Sequence, residues 1–144
     1  MNRLGWDEYY VNMLAAVKLR ATCPRRQCSA IVVDSQNNIL STGYNGAPRG
    51  LPHCVDEPCG GERDRPGDVS NCIAVHSEEN AVLQLGVSDM RMKTMYCTNK
   101  PCFHCAKIIC QTSITRVLYL EDYADQRGEK LLKMKGTKIE QWIK

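Results

Sequence analysis

Two short stretches of the sequence decide the fold and the chemistry, His76-Ser77-Glu78 and Pro101-Cys102-Phe103-His104-Cys105. Cys102 and Cys105 stand three positions apart at the start of a predicted helix, so both thiols lie on one face. His76 also stands at a predicted helix start. One imidazole and two thiolates make three protein ligands, the usual number for a catalytic zinc ion that keeps its fourth position for water. The sequence therefore predicts a zinc site between two helix starts.

Glu78 gives this predicted site a chemical role. Zinc lowers the pKa of bound water to about 7, and a neighbouring carboxylate can then carry the released proton. The H-x-E…P-C-x-x-C pattern is that of zinc nucleobase deaminases, and we predict Glu78 as the catalytic residue. The alternative is a closed structural site with His104 as the fourth ligand. We disfavour it because His104 lies between the two cysteines on another helix face, and Glu78 would have no role.

The remaining sequence alternates between helical and strand patterns. Apolar residues at helical spacing predict a helix over residues 6–21. Two apolar runs flank a turn-rich segment at 34–38 and predict a hairpin. The second half predicts helices at about 75–86 (with Gly86 as its stop), 102–112 and 125–135, and strands at 94–98, 116–120 and 138–143. This alternation predicts an α/β fold whose sheet is at least partly parallel.

Composition favours a single globular domain over residues 1–144. The 144 residues are 43% apolar and 24% charged, which excludes a disordered or fibrous chain. The net charge of +3 is too small to argue for a nucleic-acid partner. No apolar run approaches the roughly 18–20 residues of a membrane helix, and the N-terminus lacks the apolar stretch of a signal peptide. We expect a soluble cytoplasmic protein (host cytoplasm if the source is viral) without a membrane partner.

Nine cysteines are the outlier in this composition. Their odd number and the missing signal peptide argue against a disulfide framework and favour metal binding for part of the set. Three cysteines in apolar segments are expected to be small buried hydrophobic residues: Cys28, Cys97 and Cys110. Segment 44–72 holds four of the six prolines and is long for a structureless loop, so we expect it to be tied down. Cys54, Cys59 and Cys72 lie in it, which makes a metal ion a candidate for that tie.

From about Tyr9 to Ile143, the chain resembles the deoxycytidylate (dCMP) deaminases of the cytidine deaminase-like superfamily. Thr42–Gly50, with the sequence TGYNGAPRG, closely resembles that family's GYNG-x-P-x-G loop. The resemblance to bacterial and phage members in particular rests on His53-Cys54, Cys72 and Glu121-Asp122-Tyr123. Two departures stand out: Ser77 replaces the usual alanine of His-Ala-Glu, and Gln27-Cys28-Ser29-Ala30 replaces Gln-Val-Gly-Ala. Serine is small, so we expect the chemistry to survive the first departure.

The resemblance implies a fold and a reaction. The fold would be a three-layer α/β/α sandwich with a mixed sheet of about five strands. The reaction would be hydrolytic conversion of dCMP to dUMP with release of ammonia, feeding thymidylate synthesis. Zinc held by His76, Cys102 and Cys105 would activate water for attack on C4 of the ring. Glu78 would take the proton, deliver it to N3 and help to protonate the leaving amine.

Substrate contacts are implied in the same way. The amide of Asn45, beside Gly46 in the GYNG loop, would contact the sugar. Tyr123 would line the pyrimidine and phosphate side of the pocket, or else be an ordinary half-buried aromatic residue. A 5′-phosphate needs cationic or N–H partners, and the candidates are Arg25, Arg26 and Arg49, each of which is otherwise a solvated surface arginine.

Regulation and a second metal ion complete what the resemblance implies. Family members are commonly hexamers regulated by deoxynucleoside triphosphates with Mg²⁺, dCTP activating and dTTP inhibiting. Asn45 and Arg49 are the first candidates for that effector site. A second, structural zinc ion would bind Cys23, Cys54 and Cys72, with Cys59 or His53 as the fourth ligand. The alternative is unliganded thiols in a loop that subunit contacts order.

Two other functions remain open at this point. A tRNA or polynucleotide cytosine or adenine deaminase would share the zinc motif, but it predicts a basic surface, which the modest net charge does not support. A non-catalytic zinc-stabilised binding module would have no use for Glu78 beside an open metal position.

Overall fold

The computed structural model describes residues 1–61, 71–86 and 88–144. Within these residues the chain forms five strands, β1 to β5, and four α-helices, α1 to α4. In chain order they are α1 (Trp6–Val17), β1 (Ser29–Asp34), β2 (Ile39–Tyr44), α2 (Ser77–Leu83), β3 (Lys93–Asn99), α3 (Phe103–Cys110), β4 (Ile114–Glu121), α4 (Arg127–Lys135) and β5 (Lys138–Gln141). None of the described helices is long and apolar enough to cross a membrane.

The five strands form one sheet in the order β2-β1-β3-β4-β5. β1 is antiparallel to both β2 and β3, whereas β3, β4 and β5 run parallel to one another. The predicted hairpin forms the antiparallel part, and the βα alternation of the second half forms the parallel part. The predicted mixed α/β sheet of about five strands is confirmed.

Each face of the sheet has its own apolar core. Ala30 and Val32 of β1 point into one core together with residues of α2, α3 and α4, whereas Ile31 and Val33 point into the other with Tyr10 and Leu14 of α1. Side chains alternate between the two faces along a strand, and both faces of β1 are covered by helices. All six of its residues are therefore buried. The result is three layers, with α1 on one side of the sheet and α2 to α4 on the other.

The ends of the helices differ from the prediction for local reasons. α2 begins at Ser77 rather than near 75, because the backbone of Val75 pairs with Gly46 at N–O distances of 2.8 and 3.2 Å. It ends at Leu83, so the prediction of Gly86 as its stop was wrong. α1 ends at Val17 and is followed by a single 3₁₀ turn, Lys18–Arg20.

Burial of the three expected core cysteines is also mixed. Cys97, in the central strand β3, is completely buried as predicted. Cys28 and Cys110 are only half-buried, which corrects the prediction. Cys28 precedes the first residue of β1, and Cys110 is the last residue of α3, so neither lies inside its element.

The Gly46–Val75 bridge closes the long segment that connects β2 to α2. Cys54 is buried within that segment, and Gly61 packs so closely on Cys72 that an added Cβ would lie 3.0 Å from the Cys72 Cα. Residues 62–70, which include Pro66, lie outside the described part of the chain. The segment therefore leaves the sheet and returns to it at one place.

Candidate active site

Two helix starts meet at the carboxyl end of β3. His76 is the residue that precedes α2, and Cys102 is the residue that precedes α3, each with an extended backbone. The Cys102 Sγ accepts a hydrogen bond from the Cys105 backbone N–H at 3.4 Å. On α2, the His76 backbone N–H donates to Glu79 Oε1 at 3.3 Å. Both helix starts are therefore fixed by their own residues.

The three predicted ligands come together at this point. His76 Nδ1 lies 3.5 Å from Cys102 Sγ and 3.3 Å from Cys105 Sγ, and the three atoms lie within 4.8 Å of one another. A tetrahedral zinc ion with ordinary bond lengths sets its nitrogen and sulfur ligands about 3.6 Å apart. The donor set and its spacing therefore fit zinc. Among the residues that the structure describes, no other group of three such side chains is this tight.

The electrostatics of the group favour the ligating form of Cys102. A hydrogen bond from Cys105, helped by His76, lowers the pKa of the Cys102 thiol to about 4. The hydrogen bond with Cys102 raises the pKa of His76 to about 9, although its partial burial opposes this rise. The hydrogen bond with Cys102 also raises the pKa of the Cys105 thiol, which favours its protonated form. A metal ion displaces such protons on binding.

Glu78 lies beside this donor group and is 6% exposed. Burial raises the pKa of its carboxyl, and hydrogen bonds with Ser77 and Cys105 partly oppose that rise. A buried carboxyl with a raised pKa is suited to taking up a proton and releasing it again. Placed next to an open metal position, such a group can transfer protons to and from a reacting molecule.

Residues 4–121 match the family described as the cytidine and deoxycytidylate deaminase zinc-binding region. The chain belongs to this family. The deoxycytidylate deaminase of Mycobacterium phage D29 is 36% identical over 125 residues, which cover 83% of this chain and 97% of the phage protein. The deoxycytidylate deaminase of Saccharomyces cerevisiae is 34% identical over 145 residues, 97% of this chain but 46% of the yeast protein. The chain thus spans about half the length of that yeast relative.

A solved structure of the same family agrees with this membership. The dCMP deaminase of cyanophage S-TIM5, crystallised with dCMP and dUMP, superposes with a TM-score of 0.80 at 27% identity, over 99% of this chain and 100% of that one. The expected cytidine deaminase-like sandwich is confirmed by this match. The similarity to the deoxycytidylate deaminases is confirmed by the phage and yeast relatives.

The residues predicted to contact the substrate differ in their burial and in the contacts they already make. Asn45 is buried, and its amide already accepts from the Cys28 backbone N–H at 2.8 Å and donates to the Arg26 carbonyl at 2.8 Å. An amide carries two N–H bonds and two lone pairs on oxygen, so one of each is left for a ligand. Tyr123 is half-buried in the turn after β4, and Gly46 is occupied by its bridge to Val75.

The candidate phosphate-binding arginines differ in the contacts they make. All three are exposed. Arg25 donates from its guanidinium to the Gly61 carbonyl at 2.5 Å, which gives it a place in the long segment. Arg26 stands two residues before Cys28, close enough for its charge to lower the pKa of that thiol against the larger effect of burial. Arg26 also lies next to Asn45, whose amide donates to the Arg26 carbonyl.

The four cysteines of the predicted second metal site lie in one region. Burial raises the pKa of Cys54 to about 11, helped by a hydrogen bond with Cys59 and by the nearby thiols of Cys23 and Cys72. His53 is exposed. The thiols are neighbours, although they are not as closely grouped as the three donors at the helix starts.

Sequence reasoning missed three residues that fix the site. Ser77 Oγ donates to Glu78 Oε1 at 2.6 Å. The buried Lys100 Nζ reaches Asp122 Oδ1 at 2.5 Å and also contacts Gln126 and Glu129. An added Cβ on Gly128 would lie 2.7 Å from the Pro101 carbonyl oxygen. The first had a signal in the sequence, the serine inside the His-x-Glu motif, whereas the other two depend on contacts between distant elements.

Proposed function

We propose that this chain is a zinc-dependent deoxycytidylate deaminase that converts dCMP to dUMP and ammonia. The observation that carries the proposal is the buried carboxylate of Glu78 beside the His76, Cys102 and Cys105 donors. The named activity of the phage and yeast relatives supports the choice of dCMP as substrate. The proposal treats residues 1–144 as one deaminase domain.

The residues of the site divide the work of this reaction. His76, Cys102 and Cys105 would hold the zinc ion, which supplies a water molecule acidified to a pKa of about 7. Glu78 takes the proton from the attacking water and delivers it to N3 of the ring. As the C4–N bond breaks and the C4 carbonyl forms, Glu78 transfers the remaining proton of the added hydroxyl to the amine, which leaves as ammonia. Burial of Glu78 keeps solvent protons away from these transfers.

The nucleotide would be oriented by residues that flank the donors. The amide of Asn45 has one N–H and one lone pair left to bind the sugar. Arg26 is our choice for the 5′-phosphate, because it is exposed and its backbone carbonyl contacts the amide of Asn45. Tyr123 would lie against the base or the phosphate.

Ammonia release tests the substrate. The protein is incubated with dCMP, deoxycytidine, single-stranded DNA and tRNA in parallel. We expect release from dCMP alone, because a 5′-phosphate on a single nucleotide is the group that Arg26 would bind. Release from the polymers and not from dCMP would contradict the proposal and assign a polynucleotide deaminase; no release from any of them would assign a non-catalytic zinc module.

Regulation belongs to the same proposal and rests on resemblance. A supply of dUMP for dTMP synthesis would be controlled by dCTP as activator and dTTP as inhibitor, each with Mg²⁺, in a hexamer. Arg49 is exposed in the GYNG loop, where a triphosphate would reach it. Velocity measured against dCMP with and without each triphosphate tests this, and a curve that neither triphosphate changes would contradict it.

A second, structural zinc ion is proposed for the long segment. The clustering of Cys23, Cys59 and Cys72 around the buried Cys54 supports it and favours Cys59 over the exposed His53 as the fourth ligand. Metal analysis of the purified protein is expected to give about two zinc ions per chain, and the Cys54→Ser variant about one. One zinc ion per chain in fully active parent protein would contradict this site.

A further inference from the structure

Ser77 stands between a predicted metal ligand and the predicted catalytic carboxylate, at the position where the family usually has alanine. Its hydroxyl donates to Glu78 Oε1 at 2.6 Å, the length of a strong hydrogen bond to a carboxylate. Ser77 is 1% exposed and Glu78 6% exposed, so water does not compete for this contact. The bond is therefore a fixed part of the site.

This contact is not a consequence of helix geometry alone. Successive residues diverge by about 100° around a helix, so adjacent side chains normally point apart. The Glu78 side chain turns back toward Ser77, and the hydroxyl holds it in that rotamer. The backbone carbonyl of Ser77 is in turn fixed by β2, because Gly43 packs on it too closely to accept a Cβ.

The Ser77 hydroxyl is not one of the three metal donors, so a metal ion held by His76, Cys102 and Cys105 leaves its contact with Glu78 in place.

We infer that Ser77 is a positioning residue for the deamination, holding Oε1 of Glu78 so that Oε2 faces the reacting water and the ring. This inference rests on the proposed function, because it assigns Ser77 a part in that reaction. A group that fixes the proton carrier acts on the transition state and contributes little to binding of the ground-state nucleotide. The Ser77→Ala variant should therefore lose kcat and keep its KM for dCMP.

The matched control is Ser41, a buried serine of β2 whose hydroxyl donates to the Ala81 carbonyl of the same helix α2 at 2.8 Å. Ser41→Ala removes a buried hydroxyl bond to α2 without touching Glu78. We expect Ser77→Ala to lower kcat about tenfold, with KM and zinc content unchanged. Ser41→Ala should lower the melting temperature at least as much and leave kcat within about twofold of the parent.

Ligand binding gives a readout that does not depend on turnover. A dCMP analogue with hydrogen in place of the 4-amino group adds water at C4 and stays bound as the hydrate, which resembles the transition state. Ser77→Ala should weaken this analogue about as much as it lowers kcat/KM. The affinity for dUMP, which lacks the developing tetrahedral centre, should stay unchanged.

A double-mutant cycle with Glu78→Gln completes the test. Once the carboxylate is an amide, the hydroxyl has no proton carrier to position, so Ser77→Ala should have no further effect on analogue affinity. Unchanged kcat in Ser77→Ala, or equal losses of analogue and dUMP affinity, would overturn the inference while leaving the proposed function intact. A parent protein without activity on dCMP would instead overturn the proposed function.

Discussion

A substitution of Glu78 is expected to affect the reaction without affecting metal binding. It lies beside the donor group without belonging to it, and its burial raises the pKa of its carboxyl. Glu78→Gln should therefore keep zinc and lower kcat by roughly 10²–10⁴-fold, the usual contribution of a general acid–base group. Activity assays combined with metal analysis measure both effects.

Cys102→Ala is the control for that prediction. Cys102 is one of the three donors, and its thiol also accepts the Cys105 backbone N–H at the start of α3. Its removal should lower zinc content together with activity, a pattern that Glu78→Gln should not show. Activity of Glu78→Gln within about threefold of the parent would contradict the assignment of the proton carrier.

At this scale the sequence predicts which metal donors come together, but it does not predict the hydrogen-bond partners of the other site residues. The spacing of Cys102 and Cys105 brings both thiols to one side of the start of α3 whatever surrounds them, so the pairing of these two donors follows from local geometry. The amide of Asn45 illustrates the limit. Half of its hydrogen-bonding capacity is used by the backbone around Cys28, and no local pattern indicates contacts across that distance in the chain.

The packing of β2 on α2 fixes the first turn that carries Glu78. An added Cβ at Gly43 would clash with the Ser77 carbonyl and lie 2.6 Å from the Ala81 backbone nitrogen. Gly43→Ala should therefore displace α2, weaken zinc binding and destabilise the protein by about 1–3 kcal/mol. Thermal unfolding and a zinc-chelator competition measure the two losses.

Gly86→Ala is the matched control, because its added Cβ would meet nothing closer than the Ser88 Oγ at 3.9 Å. We expect it to leave zinc affinity and stability within about 0.5 kcal/mol of the parent. If Gly43→Ala were equally silent, the close approach of β2 to the active-site helix would not be what positions Glu78.

Lys100 connects the loop that carries Cys102 to α4. Its buried ammonium contacts Asp122, Gln126 and Glu129 just after β4 and in the first turn of α4. Lys100→Met keeps the length of the side chain but leaves those acceptors without their cation, so we expect a loss of about 1–3 kcal/mol of stability. Urea unfolding measures it. Lys133→Met, which removes only the exposed partner of Glu129, should change stability by less than about 0.5 kcal/mol.

Helix and strand types could be predicted at this scale, but several of their ends could not. The periodicity of α2 is clear in the sequence, yet the helix starts two residues late because Val75 is engaged by Gly46. Such a bridge joins residues that are far apart in the chain. Tertiary contacts therefore decide the boundary, and local propensity alone does not determine it.

Across the whole molecule, α1 is joined to the sheet by a polar network as well as by its apolar face. Both oxygens of Asp7 accept from Arg116 of β4 at 2.8 Å, and Tyr96 of β3 donates to Asp7 at 2.6 Å. Arg116 also donates to Glu140 of β5 at 2.7 Å. One guanidinium thus links the outer helix to the parallel strands.

This network predicts a pH dependence of stability. Hydrogen bonds from Arg116 lower the pKa of the Asp7 carboxyl, against the opposing effect of its partial burial. A lowered carboxyl pKa stabilises the fold above the unfolded value of about 3.9, and that stabilisation is lost as the pH falls through the folded value. Asp7→Asn should therefore melt below the parent at pH 7, by about 1 kcal/mol of unfolding free energy, and the difference should shrink below about pH 4.

Glu8→Gln serves as the control, since it removes a neighbouring negative charge of the first turn of α1 that pairs with the exposed Lys144 and not with Arg116. Melting curves of the three proteins from pH 7 down to pH 3 give the comparison. A constant difference between parent and Asp7→Asn over that range would mean that the Asp7 charge is not what stabilises the contact.

The Gly46–Val75 bridge has a consequence for how this protein family can change. Because the bridge holds Gly46 and Val75 together, the sequence between them is an insert whose two ends are fixed. Doubling the length of a flexible insert costs only about 0.6 kcal/mol in closure entropy. His76 follows Val75 directly, so the bridge fixes the backbone immediately before this donor. Exchange of that insert between relatives is thus a route by which new recognition properties can evolve around an unaltered reaction centre.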